Sequence, residues 1–255
     1  DAEAAVEGAA CILRVELPRR GLVCQHVAGG ITRGGEPAAV TTPFRIASIT
    51  KPFTAAVMMQ LVAEGTLALD DPMAAHLPAD HLDLVPRVHV LDGVSYGERI
   101  TIRQMLSHSS GLFDYAMSTQ FGLAIAADPG HVWTPREMVE GAIGWGAPHF
   151  PPGEGYGYAY SDTGYVLAGL IIETVDCRRL DEAYRARILD PLGLDNTYLE
   201  GFEAHRGSEM AHAHEGQFDT APIHGSADWA GGGLVSDTAD LATFVQQLLA
   251  GAVVP

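Results

Sequence analysis

Lysine is almost missing from this chain. Of its 15 basic residues, 14 are arginine and one is Lys51. Arginine can stand in for a solvated surface lysine, but not for one whose task is to release a proton, because guanidinium stays charged at any working pH. The survivor is therefore a candidate for chemistry. Positive charge is scarce altogether: 32 acidic residues leave a formal net charge of −17, which argues against nucleic acid or an anionic membrane surface as a partner. No uncharged apolar run reaches 18 residues, so no membrane span is expected. Three cysteines, Cys11, Cys24 and Cys177, cannot close a disulfide framework, and a chain of 255 residues can bury a core without one.

What is present reads as a hairpin followed by capped helices. Ala10–Leu17 and Leu22–Ala28 flank Pro18-Arg19-Arg20-Gly21 as two strands. With Leu17 facing Leu22, Cys24 faces Val15 and Cys11 faces Ala28, an offset that predicts no bridge between the thiols. Residues 48–64 predict a helix buried nearly all round. Ile49, Phe53, Val57 and Leu61 recur four apart, Pro52 to Ala63 carry no charge, and Gly65 stops the run. Thr101 with Gln104 and Thr134 with Glu137 mark further helix starts. Asp162 precedes the apolar run Tyr165–Val175, Asp181–Leu189 is expected to end against Pro191, and Ser236 to open a last helix through Leu249. The order predicts an α/β (α+β) fold, an antiparallel sheet flanked by helices plus a helical domain. Residues 1–65 and 225–255 are expected to belong to the sheet domain and 66–224 to the mainly helical one. A two-stranded hairpin is marginal alone. Further strands are expected to complete the sheet, from the rest of the chain or from a second polypeptide.

Ser48-Ile49-Thr50-Lys51 places a serine and the lone lysine three residues apart at the start of the buried helix. That spacing puts both side chains on one face, about 5–6 Å apart at Cβ. A serine hydroxyl attacks poorly until a base takes its proton. A lysine stripped of water has its ammonium disfavoured, and a helix N-terminus favours a nearby oxyanion. The plain alternative makes Ser48 a helix cap and Lys51 a residue that reaches to the surface.

The stretch Phe44-Arg45-Ile46-Ala47-Ser48-Ile49-Thr50-Lys51-Pro52-Phe53 resembles the nucleophile segment of the serine β-lactamase and penicillin-binding protein family. Leu106-Ser107-His108-Ser109-Ser110-Gly111-Leu112, Pro152-Gly153, Tyr160-Ser161-Asp162-Thr163-Gly164-Tyr165 and Ala230-Gly231-Gly232-Gly233-Leu234-Val235-Ser236 resemble its later motifs, in the family's order. The texture is similar to the branch of D-amino-acid amidases, D-alanyl-D-alanine carboxypeptidases, class C β-lactamases and related esterases. The resemblance implies a β-lactamase/transpeptidase-like fold, with Ser48 as acylated nucleophile, Lys51 as base or proton relay and Tyr160 as second acid/base. Read without it, Tyr160 is one more ring in an aromatic stretch. Asp162 stands where the family commonly has asparagine, and is expected either to contact substrate or to cap the next helix. The family's third motif, a Lys/His-Thr/Ser-Gly segment on a strand that also supplies an oxyanion N–H, has no match in residues 1–255.

The implied function is a serine hydrolase acting through an acyl-enzyme on small amides or peptides with a D-residue. A carboxylesterase or class C-like β-lactamase is the alternative in kind. A penicillin-binding sensor acylated without turnover is the alternative of another class, motivated by Asp162 and the unmatched motif. The partner is then a small amide, peptide, ester or β-lactam, and no cofactor is implied. His205, His212 and His214 lack the companions of a metal site. His108 is expected to be a hydrogen-bonded structural histidine, and Gly231-Gly232-Gly233 to supply backbone conformations barred to other residues.

Overall fold

The expected hairpin forms in the expected register. β1 (Cys11–Leu17) pairs antiparallel with β2 (Leu22–Ala28), setting Leu17 opposite Leu22, Val15 opposite Cys24 and Cys11 opposite Ala28. The coordinates are a computed structural model, which describes residues 10–32, 35–153, 157–215 and 218–254. Burial alternates along β1: Ile12, Arg14 and Glu16 are half-buried, whereas Leu13, Val15 and Leu17 face solvent. The half-buried face lies on the last helix, where the Gln246 amide donates to Glu16.

β3 (Phe44–Arg45) leads through a single 3-10 turn, Ala47–Ile49, into α1 (Thr50–Ala63). Gly65, with φ of 73°, closes α1 as expected. Short elements follow: α2 (Val85–Val88), β4 (Val90–Leu91), β5 (Val94–Ser95) and α3 (Ile102–Leu106), the last opened by the Thr101–Gln104 capping box. α4 (Thr119–Ala127), which the sequence reading lacks, is capped by Ser118. α5 (Pro135–Trp145) starts at the Thr134–Glu137 box, and α6 (Asp162–Asp176) follows. α7 (Leu180–Tyr184), a π turn at Arg185–Leu189 and α8 (Asp190–Leu192) make one helical path. Then come β6 (Tyr198–Leu199), β7 (His214–Glu215), β8 (Phe218–Asp219), α9 (Trp229–Gly232), β9 (Leu234–Ser236) and α10 (Thr238–Leu249).

Two helix ends differ from the sequence reading. The path begun at Leu180 does not stop before Pro191. The π turn widens the coil ahead of it, and Pro191 stands in the first turn of α8, where its missing N–H costs nothing. Ser236 does not open the last helix, because its backbone is taken by β9, the middle strand of a β3-β9-β6 antiparallel sheet. Asp237 caps α10 instead, accepting from the N–H groups of Ala239 and Asp240 at 2.8 and 2.9 Å.

α6 runs through the interior, with every residue from Thr163 to Ile172 buried, and α1, α3, α5 and α9 pack around it. One apolar cluster extends from Ile46 to Val253, so residues 66–224 share their core with the flanking segments. Phe53 of α1 stacks on Phe244 of α10 with ring centres 3.7 Å apart. Gly169 permits the close crossing of α6 and α9: a Cβ there would lie 2.7 Å from the Ala230 Cβ. Trp229 is buried in this crossing. The result fixes α1, α6 and α9 against one another, and their ends meet at one place.

Candidate active site

That place is the turn before α1. Ile46 donates its N–H to Leu234 of β9 at 3.0 Å, and Ala47 takes a φ of +46°, a conformation costly for a residue with a side chain. The turn leaves Ser48 exposed ahead of the helix. Its hydroxyl caps nothing in α1, so the cap alternative for Ser48 is not realised. Nor does Lys51 reach the surface, since it is 4% exposed.

The Lys51 ammonium sits among three acceptors. It donates to Ser48 Oγ at 3.0 Å, to the Gly231 carbonyl at 2.8 Å, and to Asp162 Oδ1. Three hydrogens meet three acceptors, so burial does not leave the amine bare, as the sequence reading supposed; α6 and α9 supply it with a countercharge and a carbonyl. Tyr160 approaches from the other side. Its phenol donates to Ser48 Oγ at 2.6 Å, and Lys51 Nζ lies 4.7 Å from its ring centre. Ser48 Oγ thus stands between an amine and a phenol, both within proton-transfer reach.

His108 holds Tyr160 in position. Its carbonyl accepts the Ala159 N–H at 2.9 Å, its Nδ1 accepts the Ser161 N–H at 3.2 Å, and its ring stacks on Tyr160 at 4.3 Å. Burial, then the Lys51 charge, lowers its pKa, which keeps the ring in the neutral form that can accept. The expected hydrogen-bonded structural histidine is what the fold contains.

Asp162 is the first residue of α6 and caps nothing; Ser161 holds the N-cap position. The expected capping use of Asp162 is therefore not realised. Its carboxylate, on a side chain 17% exposed, is engaged by Lys51. Gly231 makes room for this pair, since a Cβ there would lie 2.6 Å from Asp162 Oδ1. None of Gly231, Gly232 and Gly233 has a positive φ. The glycine run serves close approach, not the unusual backbone angles that its sequence led us to expect.

Asp114 is a member of this cluster that sequence reasoning passed over. Its Oδ1 accepts the N–H groups of Asp162 at 3.2 Å and Ala116 at 3.1 Å, while the buried Oδ2 has no partner among the described residues. Burial first, then the nearby Asp162 charge, pushes its pKa up to about 6 from 3.8. The folded chain therefore holds this proton more tightly than the unfolded one. The stability it contributes is complete below about pH 4 and is lost as pH rises through about 6. Asp114→Asn keeps the Oδ1 acceptor and removes the titration. In urea unfolding, the variant is expected to gain on the parent between pH 4 and pH 6, by about 2–3 kcal/mol in total. A difference that stays constant over that range would clear Asp114 of the effect.

Of the three histidines weighed for a metal, His205 meets the Tyr198 hydroxyl at 2.8 Å and His212 meets Asp219 at 2.9 Å, while the His214 side chain lies outside what the structure describes. Among the described residues no three His, Cys, Asp or Glu side chains gather as metal ligands.

Comparisons with known proteins give the family and the fold in which this cluster sits. A family model described as Beta-lactamase matches residues 19–255. Penicillin-binding protein 4 of Amycolatopsis lactamdurans is 30% identical over 207 residues, which are 77% of this chain and 47% of that protein. Among solved structures, a D-stereospecific amidohydrolase from Streptomyces sp. superposes with a TM-score of 0.79 at 33% identity, covering 98% of this chain and 70% of that one. The D-amino acid amidase from Ochrobactrum anthropi SV3 gives a TM-score of 0.81 at 26% identity, covering 100% of this chain and 69% of that one. The chain spans about half the length of the curated relative, and its fold is that of the β-lactamase/transpeptidase group.

Proposed function

The chain belongs to the beta-lactamase family, and we propose that it carries the nucleophile of a serine hydrolase that acts through an acyl-enzyme on small amides or peptides with a D-residue. One observation carries the proposal: exposed Ser48 has its Oγ 3.0 Å from Lys51 Nζ and 2.6 Å from the Tyr160 hydroxyl. In this reading Ser48 lies at the seam between the sheet part, 1–65 with 225–255, and the mainly helical 66–224. Ser48 Oγ attacks the carbonyl carbon, and its proton passes to the Lys51–Tyr160 pair once that pair is one proton short. Tyr160 then protonates the leaving nitrogen as the C–N bond breaks, and water hydrolyses the ester formed on Ser48. Asp162, in this assignment, holds Lys51 and its charge in place and does not itself grip the substrate. The amidohydrolase and amidase among the structural neighbours support amides ahead of esters and β-lactams.

A second reading, a penicillin-binding sensor without turnover, draws on Asp162 standing where asparagine is common. Fluorescent penicillin and D-phenylalaninamide separate the two. Ammonia released from the amide, and lost in Ser48→Ala, is the expected result. A persistent Ser48 label without turnover supports the sensor. A folded protein that shows neither removes both readings.

A further inference from the structure

One carboxylate beside Ser48 is not used by this chemistry. Asp228 stands at the start of α9, and its backbone carbonyl accepts the N–H groups of Gly231 and Gly232 at 2.8 and 2.9 Å. Gly232 brings it to the nucleophile turn. A Cβ on Gly232 would lie 3.0 Å from the Asp228 Cβ and 3.6 Å from the carbonyl carbon of Ala47, the residue before Ser48. The Asp228 carboxylate has no ion pair or hydrogen-bond partner among the described residues. The two positive charges that act on it, Arg45 and Lys51, are committed elsewhere. Arg45 clasps Glu200 at 2.7 and 2.8 Å and the Thr220 and Ile223 carbonyls at 2.6 Å each. Lys51 has its three acceptors already. Asp228 is exposed and so open to a ligand, and crowding by the surrounding protein, then the Asp162 charge, raises its carboxyl above the usual carboxylate range.

The other flank of Asp228 is apolar. Phe121, Ile125 and Ala126 of α4, with Thr220, Ile223, Ala227 and Asp228 itself, line an open cavity of about 340 Å³. That volume suits one aromatic or branched side chain. An exposed carboxylate lacking a counterion thus lines an apolar cavity and adjoins the nucleophile turn.

We propose that Asp228 is a specificity-determining residue that accepts a primary ammonium on the acyl side of the scissile bond, with the adjoining cavity taking the apolar side chain of the same substrate residue. The proposal rests on the acyl-transfer reading and sharpens its substrate class to amides or short peptides with a free amino group on an apolar acyl residue. Because Asp228 adjoins, across Gly232, the residue before Ser48, the ammonium it takes is assigned to the α-amino group, close to the scissile carbonyl, and not to a remote one.

Binding tests this without turnover. In the full chain carrying Ser48→Ala, calorimetry at neutral pH compares D-phenylalaninamide with 3-phenylpropionamide, which lacks only the amino group. The amine-bearing ligand is expected to bind about tenfold or more tightly. Adding Asp228→Asn brings the ratio to about one, chiefly by weakening D-phenylalaninamide. Adding Ala126→Trp, which fills the cavity, weakens both ligands. Equal affinity of the two ligands in the Ser48→Ala chain, equal weakening of both by Asp228→Asn, or no binding of either would each overturn the assignment. Labelling of Ser48 in the parent by a neutral fluorophosphonate reports on the acyl-transfer reading separately, so Asp228 can fail while that reading stands.

Discussion

Lys51→Arg is expected to slow acylation of Ser48 by at least about a thousandfold, the scale of losing a general base. The argument is geometric as well as chemical. Lys51 Nζ reaches Ser48 Oγ, the Gly231 carbonyl and Asp162 from one atom, and it can donate or accept a proton without moving. A guanidinium keeps its charge, so Asp162 stays paired, but it has no lone pair to offer and spreads its donors over a longer plane. The comparison with Lys51→Met separates the two contributions. Methionine fills the same channel without charge, so it is expected to lose acylation to the same degree and, unlike arginine, to leave the Asp162 carboxylate opposite an apolar group. Stopped-flow labelling with a fluorescent penicillin or an activated ester gives the rates, and circular dichroism establishes that each variant is folded. A near-parental rate in folded Lys51→Arg takes Lys51 out of the mechanism.

The second large effect concerns stability. Asp162→Ala strands the Lys51 ammonium, 4% exposed, with one acceptor fewer and no carboxylate in contact. Removing one member of a buried ion pair costs about 3–5 kcal/mol, and urea unfolding at pH 7 is expected to show a loss of that size. Asp162→Asn keeps an oxygen facing the amine and gives up only the charge. Its cost is expected to be about 1–2 kcal/mol, in line with a weakened but intact hydrogen bond. A cost under about 1 kcal/mol for the alanine variant would mean that Gly231, Ser48 and solvent suffice for Lys51.

Much of this arrangement is legible in the order of residues, where the contacts are local. The hairpin register follows from Leu17 and Leu22 meeting across a four-residue turn. The Ser48–Lys51 contact follows from one turn of helix, and the Thr101–Gln104 and Thr134–Glu137 boxes from a spacing of three. The partners of Lys51 do not follow, because Asp162 and Gly231 lie 111 and 180 residues away and no periodicity links them. Asp162 could be read as a cap because aspartate caps well in isolation. Ser161 precedes it, however, and the buried ammonium gives the carboxylate a stronger partner than a backbone N–H. Ser236 was misread for a similar reason: cap chemistry is local, but a strand pairing with β3 and β6 overrides it. Asp114 left one weak signal, an acidic residue two places beyond the Gly111-Leu112 pair, and nothing in its neighbours announces the Asp162 backbone it holds. Asp228 is silent in the same way, since its meaning depends on Arg45 and Lys51 being occupied.

The solvent-facing side of the β1–β2 ribbon has a practical bearing on handling the chain. Leu13, Val15, Leu17 and Leu22 stand open there, each between 45% and 56% exposed, on two strands that pair only with each other among the described residues. Such a ribbon is a template for edge-to-edge stacking of one molecule on another. Mutual repulsion from a net charge of −17 keeps molecules apart in dilute buffer, and added electrolyte shortens the range of that repulsion to about 10 Å at 0.1 M. Colloidal lifetime of the purified chain is thus expected to shorten as ionic strength rises, through a surface remote from the contacts of Ser48.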